Sequence, residues 1–274
     1  MTNYRPGNPQ SLPPVVKNII IINVIMVLLQ FALGKAGINL GDYFGLHYWA
    51  SPLFKWWQPL THIFMHGDPY DVQGTVMHVG FNMLALWMFG RVLENMWGPR
   101  KFLIFYLVCG LGAAICHMGV LTFEYTRYYN DFLAYQAHPG YEQFLLFARH
   151  HSLNINLASL PHPFDIEQDR ATIELLFNNY SQMINEATVG ASGAVFGVLF
   201  AFAYLFPNVE LLLIFPPIPV KAKWVVTVYA LIELFSGIQN SAGDNVAHFA
   251  HLGGMLFAFI LLRIWNNKAS NRFY

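Results

Sequence analysis

Charge is scarce in this sequence. Asp, Glu, Lys and Arg make up only 11% of its 274 residues, and the formal net charge is zero. Soluble domains are nearer a quarter charged, so an ordinary soluble domain is excluded. Without a basic excess, nothing points to a nucleic-acid partner. Cysteine is nearly absent. Cys109 and Cys116 lie seven apart in one apolar run, which suits buried small hydrophobes better than a disulfide or a metal pair. A cleavable leader pattern is missing too. Met1 to Pro14 is polar and proline-rich, and the first apolar run ends in Gly34-Lys35, not in a small-residue cleavage site. That run is expected to stay as an anchor. What is plentiful is apolar material: 55% hydrophobic and 16% aromatic residues. The expected class is an all-α, polytopic membrane protein in a lipid bilayer.

About 20 mostly apolar residues cross a hydrocarbon core as a helix. Six segments qualify: Val16 to Leu33, Val76 to Leu93, Phe102 to Leu121, Ala187 to Phe206, Lys223 to Ile238 and Val246 to Trp265. The expected division is a cytoplasmic N-terminal tail (1–15), a six-helix membrane domain (16–265) and a cytoplasmic C-terminal tail (266–274). Between the first two spans, Gly34 to Thr75 is dense in aromatics, as at a membrane interface, and reads as a membrane-embedded first loop. Between spans three and four, residues 122–186 hold eight of the fifteen acidic residues. They read as an extracytoplasmic insertion with helices at Tyr141 to His150 and Asp165 to Met183, the latter capped by Asp165. Val209 to Phe215, ended by Pro216-Pro217, reads as an interfacial hairpin, and Asn240 to Asn245 as a polar turn. Ten of the fifteen Lys and Arg fall on the side of the termini, which places both termini in the cytoplasm. By analogy only, the short termini suggest a prokaryotic plasma membrane.

Ionisable or strongly polar side chains inside a bilayer are costly and usually functional. His78 and Asn82 share a face of the second span. Ser192 lies just inside the outer end of the fourth span, and His248 and His251 lie at the start of the sixth. Alternating spans put His78, Asn82, Ser192 and His251 at one depth. Gly193, Gly197 and Ala201 form a small-residue stripe, and Ala247, His251, Gly254 and Ala258 form another. Such stripes let helix backbones approach closely. The glycines around Ser192 suit plain packing, yet packing does not require a histidine in the facing stripe. A serine hydroxyl needs a base to become a nucleophile, and His251 can be that base. With no intramembrane Asp at hand, the expected arrangement is a Ser–His dyad without a carboxylate. The backbone N–H of Ser192, His78 and the Asn82 amide are candidate oxyanion donors. Glu233, inside the fifth span, has no assigned role. His62 and His66 have metal-ligand spacing but no third ligand, and no metal or other cofactor is expected. His117 reads as structural; His138, His150, His151 and His162 read as solvated.

Gly190-Ala191-Ser192-Gly193 with Gly197, then Ala250-His251-Leu252-Gly253-Gly254, and His78-Val79-Gly80-Phe81-Asn82 on the second span, together resemble the rhomboid intramembrane serine proteases. The resemblance runs from about Trp56 to Phe257, apart from the insertion. It implies a six-helix rhomboid-like bundle in which Ser192 is the nucleophile and His251 the base. His78 and Asn82 would stabilise the oxyanion, and Phe196 would pack on the catalytic imidazole. Gly190 and Gly193 would support the nucleophile. Gly90, Glu94 and Gly98 would form the structural G-x-x-x-E-x-x-x-G, and His62 and His66 would belong to the embedded loop. The implied activity is serine-type endopeptidase action on transmembrane protein substrates. Two alternatives stand beside it: a catalytically inactive relative that binds or traffics membrane proteins, and a transporter. The chain departs from the family at Trp57-Gln58, where Trp-Arg is common, and in the length of its insertion.

Overall fold

The computed structural model describes residues 12–151, 153, 163–212, 218–239 and 247–270. Most of the N-terminal tail, His162, the Pro216-Pro217 turn, the Asn240 to Asn245 turn and the last residues of the C-terminal tail lie outside them. Helix α1 is Pro14–Gly34, followed by short helices α2 (Gly41–Phe44) and α3 (Gln58–Thr61) in the first loop. Then come α4 (Val72–Ala85) and α5 (Arg91–Trp97), α6 (Pro99–Ala137), α7 (Tyr141–His150) and α8 (Ile166–Asn185). The last helices are α9 (Ser192–Leu205), α10 (Ala222–Gln239) and α11 (His248–Ser270). Strands β1 (Glu210–Leu212) and β2 (Pro219–Lys221) pair antiparallel between α9 and α10.

Among the described residues, four helical stretches are long and apolar enough to cross a membrane: Pro14–Gly34, Val72–Trp97, Pro99–Ala137 and His248–Asn266. Helix α9 is apolar but only 14 residues long. The chain is an integral, multi-pass membrane protein. Its helices bury one shared core, including Val16, Leu86, Phe102, Phe105, Tyr106, Val198, Ala258 and Leu262. Large apolar side chains also cover the outside, among them Leu28, Phe81, Phe235 and Ile238. A surface of that kind is stable against lipid and unstable against water.

Three boundaries differ from the sequence reading. The second span is longer, because α4 continues through a π-helical turn at Leu86–Gly90 into α5. The third does not stop at Leu121. Helix α6 has 39 residues, about 58 Å at 1.5 Å per residue, and so carries the chain well past a bilayer's thickness. Hydropathy falls at Thr122, but no helix breaker occurs before Pro139-Gly140, so leaving the membrane does not end the helix. The insertion folds against this extension. Tyr128, Phe132 and Tyr135 of α6 meet Phe144, Phe147 and Leu176 of α7 and α8 in a separate cluster. Asp165 caps α8 in a reciprocal capping box with Gln168. His151 is not solvated, while His150 is exposed; both bond Asp131 Oδ2, at 2.9 and 3.2 Å respectively. Burial lowers the His151 pKa, while the Asp131 carboxylate opposes that shift.

The third difference concerns the fourth span. Its helix begins at Ser192, not at Ala187. Thr188 instead pairs with Leu46 of the first loop in an antiparallel bridge, with 2.9 Å bonds in both directions.

Glu94 explains how α1 is held. The first N–H groups of a helix have no intrahelical acceptor. Here the Val15 and Val16 N–H groups donate to Glu94 Oε1 and Oε2, at 2.9 and 2.8 Å. Glu94 is almost fully buried, and its charge sits at the positive end of the α1 dipole. Glu94→Ala strands one buried donor, at roughly 1–3 kcal/mol, and one part-buried donor that water can reach in part. The expected loss of stability is about 1–4 kcal/mol, read from an unfolding titration in mixed micelles. A change under about 0.5 kcal/mol would mean that α1 is held by other contacts.

Candidate active site

Ser192 is the first residue of α9, and three of the five residues before it are bonded from outside. Gly190 N–H donates to the His62 carbonyl at 3.0 Å. Ala191 N–H donates to His66 Nε2 at 3.4 Å. Thr188 Oγ1 bonds His117 Nε2 at 2.9 Å. Gly190 has φ +134°, a conformation that disfavours any side chain. A Cβ there would also lie 3.0 Å from the His78 ring. The tight turn therefore puts the His78 imidazole against Gly190, beside Ser192. His78 in turn packs edge-on to His66, with ring centroids 5.0 Å apart. The first loop thus holds the serine turn through His62 and His66, a role that their i, i+4 spacing does not disclose.

Across the helix interface, His251 Nε2 lies 2.8 Å from Ser192 Oγ. The Phe196 ring stacks on the imidazole at 4.1 Å between centroids and 4° between planes. Both groups come from α9, one helical turn apart, so one helix supplies the partner of the ring's edge and the partner of its face. Gly193 and Gly254 meet at the crossing of α9 and α11. Asn82 is buried on α4, where its Nδ2 donates to the His78 carbonyl at 3.0 Å. That bond uses one of its two amide hydrogens. A cavity of about 20 Å³ lies behind the serine, lined by His62, Thr188, Gly190, Ser192 and Ala250 among others. It has room for one water.

The expectation that no carboxylate stands beside His251 is corrected. Glu233 Oε2, from α10, lies 2.8 Å from His251 Nδ1 and 2.7 Å from His248 Nδ1. The carboxylate is a Glu that reaches His251 from another helix, 18 residues away in sequence, so it lies outside the motifs around Ser192 and His251. The cue available was a single acid in an apolar run. Among the described residues, Glu233, His248 and His251 are also the group of three whose donor atoms could hold a metal, all within 4.8 Å. A metal on Nδ1 of His251 would leave the ring proton on Nε2, facing Ser192. That nitrogen could not then accept from the hydroxyl. Metal binding there and a base at His251 exclude each other.

Gln58 stands where the resemblance puts arginine. It is fully buried, donating to the Leu53 carbonyl at 2.9 Å and the Tyr43 carbonyl at 3.5 Å, and accepting from His47 N–H at 3.3 Å. Trp57 Nε1 also donates to the Tyr43 carbonyl, at 3.0 Å. A neutral amide therefore ties three parts of the first loop together without burying a charge. The two cysteines are free. Cys109 packs on Gly197 and Cys116 on Gly253.

Comparison with known proteins bears on the family of the chain. The rhomboid domain family matches residues 53–127 and 170–267, more than half of the chain, and leaves out most of the insertion. The chain is 38% identical to the rhomboid protease GluP of Bacillus subtilis over 61 residues, which cover 22% of this chain and 11% of that protein. It is 26% identical to the mitochondrial rhomboid protein 1 of Saccharomyces cerevisiae over 183 residues, or 67% of this chain and 36% of that protein. The chain thus spans only a minor part of either relative. The match over both halves, on either side of the insertion, carries the conclusion that the chain belongs to the rhomboid family.

Proposed function

We propose that this protein is an intramembrane serine endopeptidase that cleaves transmembrane protein substrates. The observation that carries the reading is the 2.8 Å bond between Ser192 Oγ and His251 Nε2, in a chain of the rhomboid family. A general base must lie within hydrogen-bond reach of the proton it takes. His251 removes the Ser192 proton as Oγ attacks the scissile carbonyl carbon. The new C–O bond forms while the carbonyl π pair moves onto oxygen. The Ser192 N–H, His78 and the second Asn82 amide hydrogen are the donors for that oxyanion. Collapse breaks the C–N bond, and Nε2–H passes to the leaving nitrogen. Water, deprotonated by His251, then hydrolyses the acyl-enzyme and returns the proton to Ser192. Phe196 keeps the ring plane fixed throughout.

In the bilayer we place six spans, with α9 and α10 completing the four longer helices. Helix α9 is about 21 Å long, shorter than the hydrocarbon core. With its inner end at the cytoplasmic face, Ser192 sits below the outer surface. The first loop dips in to meet it, with Trp56 and Tyr70 exposed at its rim. Both termini are cytoplasmic by the positive-inside rule, and residues 122–186 lie outside. A substrate helix must unwind locally at this depth, since helical carbonyls are internally bonded.

The test is reconstitution. Wild type and Ser192→Ala are placed in liposomes with a single-span substrate, and a mechanism-based serine probe is applied to both. The expected result is cleavage and labelling by wild type only. Equal cleavage by the two proteins would overturn the serine mechanism.

A further inference from the structure

The polar group that the dyad leaves unused is Glu233. It stands on α10, is 8% exposed, and receives two imidazoles on one oxygen: His251 Nδ1 at 2.8 Å and His248 Nδ1 at 2.7 Å. A carboxylate only accepts hydrogen bonds. Both Nδ1 atoms therefore donate, and in the neutral ring this leaves His251 Nε2 without a hydrogen. That bare nitrogen is the one 2.8 Å from Ser192 Oγ.

We infer that Glu233 is a positioning residue that turns the Ser192–His251 dyad into a three-part relay, with His248 as the anchor of the carboxylate. The inference rests on the serine-protease reading of the same site. It assigns Glu233 three tasks. It selects the His251 tautomer that can accept the serine proton. With Phe196 stacked on the face, it fixes the in-plane rotation of the ring, which stacking alone leaves free. It also places a negative charge beside the imidazolium that exists only while His251 holds the serine proton. Glu233 takes no proton: the hydrogen on Nδ1 stays there, and the proton in flight moves only between Oγ, Nε2 and the leaving nitrogen. The second imidazole matters because a carboxylate on a lipid-facing helix needs its own partners to stay in place. Helix α10 exposes Trp224, Phe235 and Ile238 on its outer side, whereas Glu233 points to α11.

The test compares wild type, Glu233→Gln, Glu233→Asp and Ser192→Ala in liposomes. It measures kcat and KM on a single-span substrate, the rate of labelling by a fluorophosphonate probe, and the melting temperature in detergent. Glutamine keeps the shape but can offer Nδ1 its amide donors, which favours the wrong tautomer. The expected result for Glu233→Gln is a kcat about 100-fold lower or less still, by analogy with amide substitution in catalytic triads. KM should stay within about threefold, since Glu233 does not reach the substrate side of the ring. The labelling rate should fall in parallel, because it depends on the same activated serine. Glu233→Asp keeps the acceptor chemistry and should recover at least about tenfold over glutamine. Unchanged kcat and labelling in Glu233→Gln would overturn the inference. So would a loss that follows the melting temperature and is no smaller in Glu233→Asp, since the residue would then be only structural. If instead Ser192→Ala cleaves like wild type, the protease reading itself fails, whatever Glu233 does.

Discussion

His251→Ala is expected to reduce turnover on the order of 10⁴-fold or more, to the same floor as Ser192→Ala and as the double substitution. The two side chains share one proton, so removing either removes the step. The separate losses should not add. Among the described residues, the hydroxyl left in His251→Ala has no other hydrogen-bonded base, and the hole left by the ring opens onto Phe196, which carries no acceptor. Folding should survive, because truncating one imidazole at a helix start removes bonds to Ser192 and Glu233 but no helix crossing. The measurement is kcat of the three variants in liposomes. A double variant that is clearly slower than either single one would mean that serine and histidine act independently.

The residues that line up in space were legible where the chemistry is local. Ser192 and Phe196 are one turn apart, as are His78 and Asn82, so spacing alone places each pair on a common face. The small-residue stripes likewise announced a close crossing of α9 and α11. What stayed hidden depends on contacts between distant segments. Ala187 to Ala191 is apolar, so its hydropathy runs on smoothly into the helix, but its backbone is drawn out by Leu46, His62 and His66. No local signal separates those outcomes. Glu233 is 18 residues from His251, on a different helix, and a lone acid in an apolar run says that it must have a partner without saying which. The end of the third span failed for another reason. Hydropathy reports the solvent around a helix, whereas its length is governed by breakers, and from Thr122 onward there is neither Gly nor Pro until Pro139.

Gly254→Ala adds one methyl group and is expected to cost more than 100-fold in activity, because a rigid neighbour occupies the space. A Cβ at Gly254 would fall inside the contact radius of the Gly193 carbonyl oxygen, with the Gly193 carbonyl carbon only 2.7 Å away. Those are backbone atoms of α9 and cannot swing aside like a side chain. On the other side, a Cβ at Gly197 would lie 3.0 Å from the Gly254 carbonyl and 2.7 Å from the Cys109 side chain. Helices α6, α9 and α11 therefore meet nearly backbone to backbone around the site. The methyl group must push α11 away from α9 by about an ångström or more, since close-packed interiors yield little. The Ser192–His251 bond, at 2.8 Å, spans that same interface, and a hydrogen bond is effectively lost beyond about 3.5 Å. Overpacking also costs about 1–3 kcal/mol of stability, too little to unfold a protein of ordinary stability. Activity should therefore fall much further than the folded fraction. Gly119→Ala on α6 is the matched control. A Cβ there meets nothing within 4 Å, and alanine is about 1 kcal/mol better than glycine within a helix. Full activity in Gly254→Ala, with Gly119→Ala also active, would mean that the two helices have room to spare. The reach between Ser192 and His251 would then have to come from their side chains alone, not from the glycines that flank them.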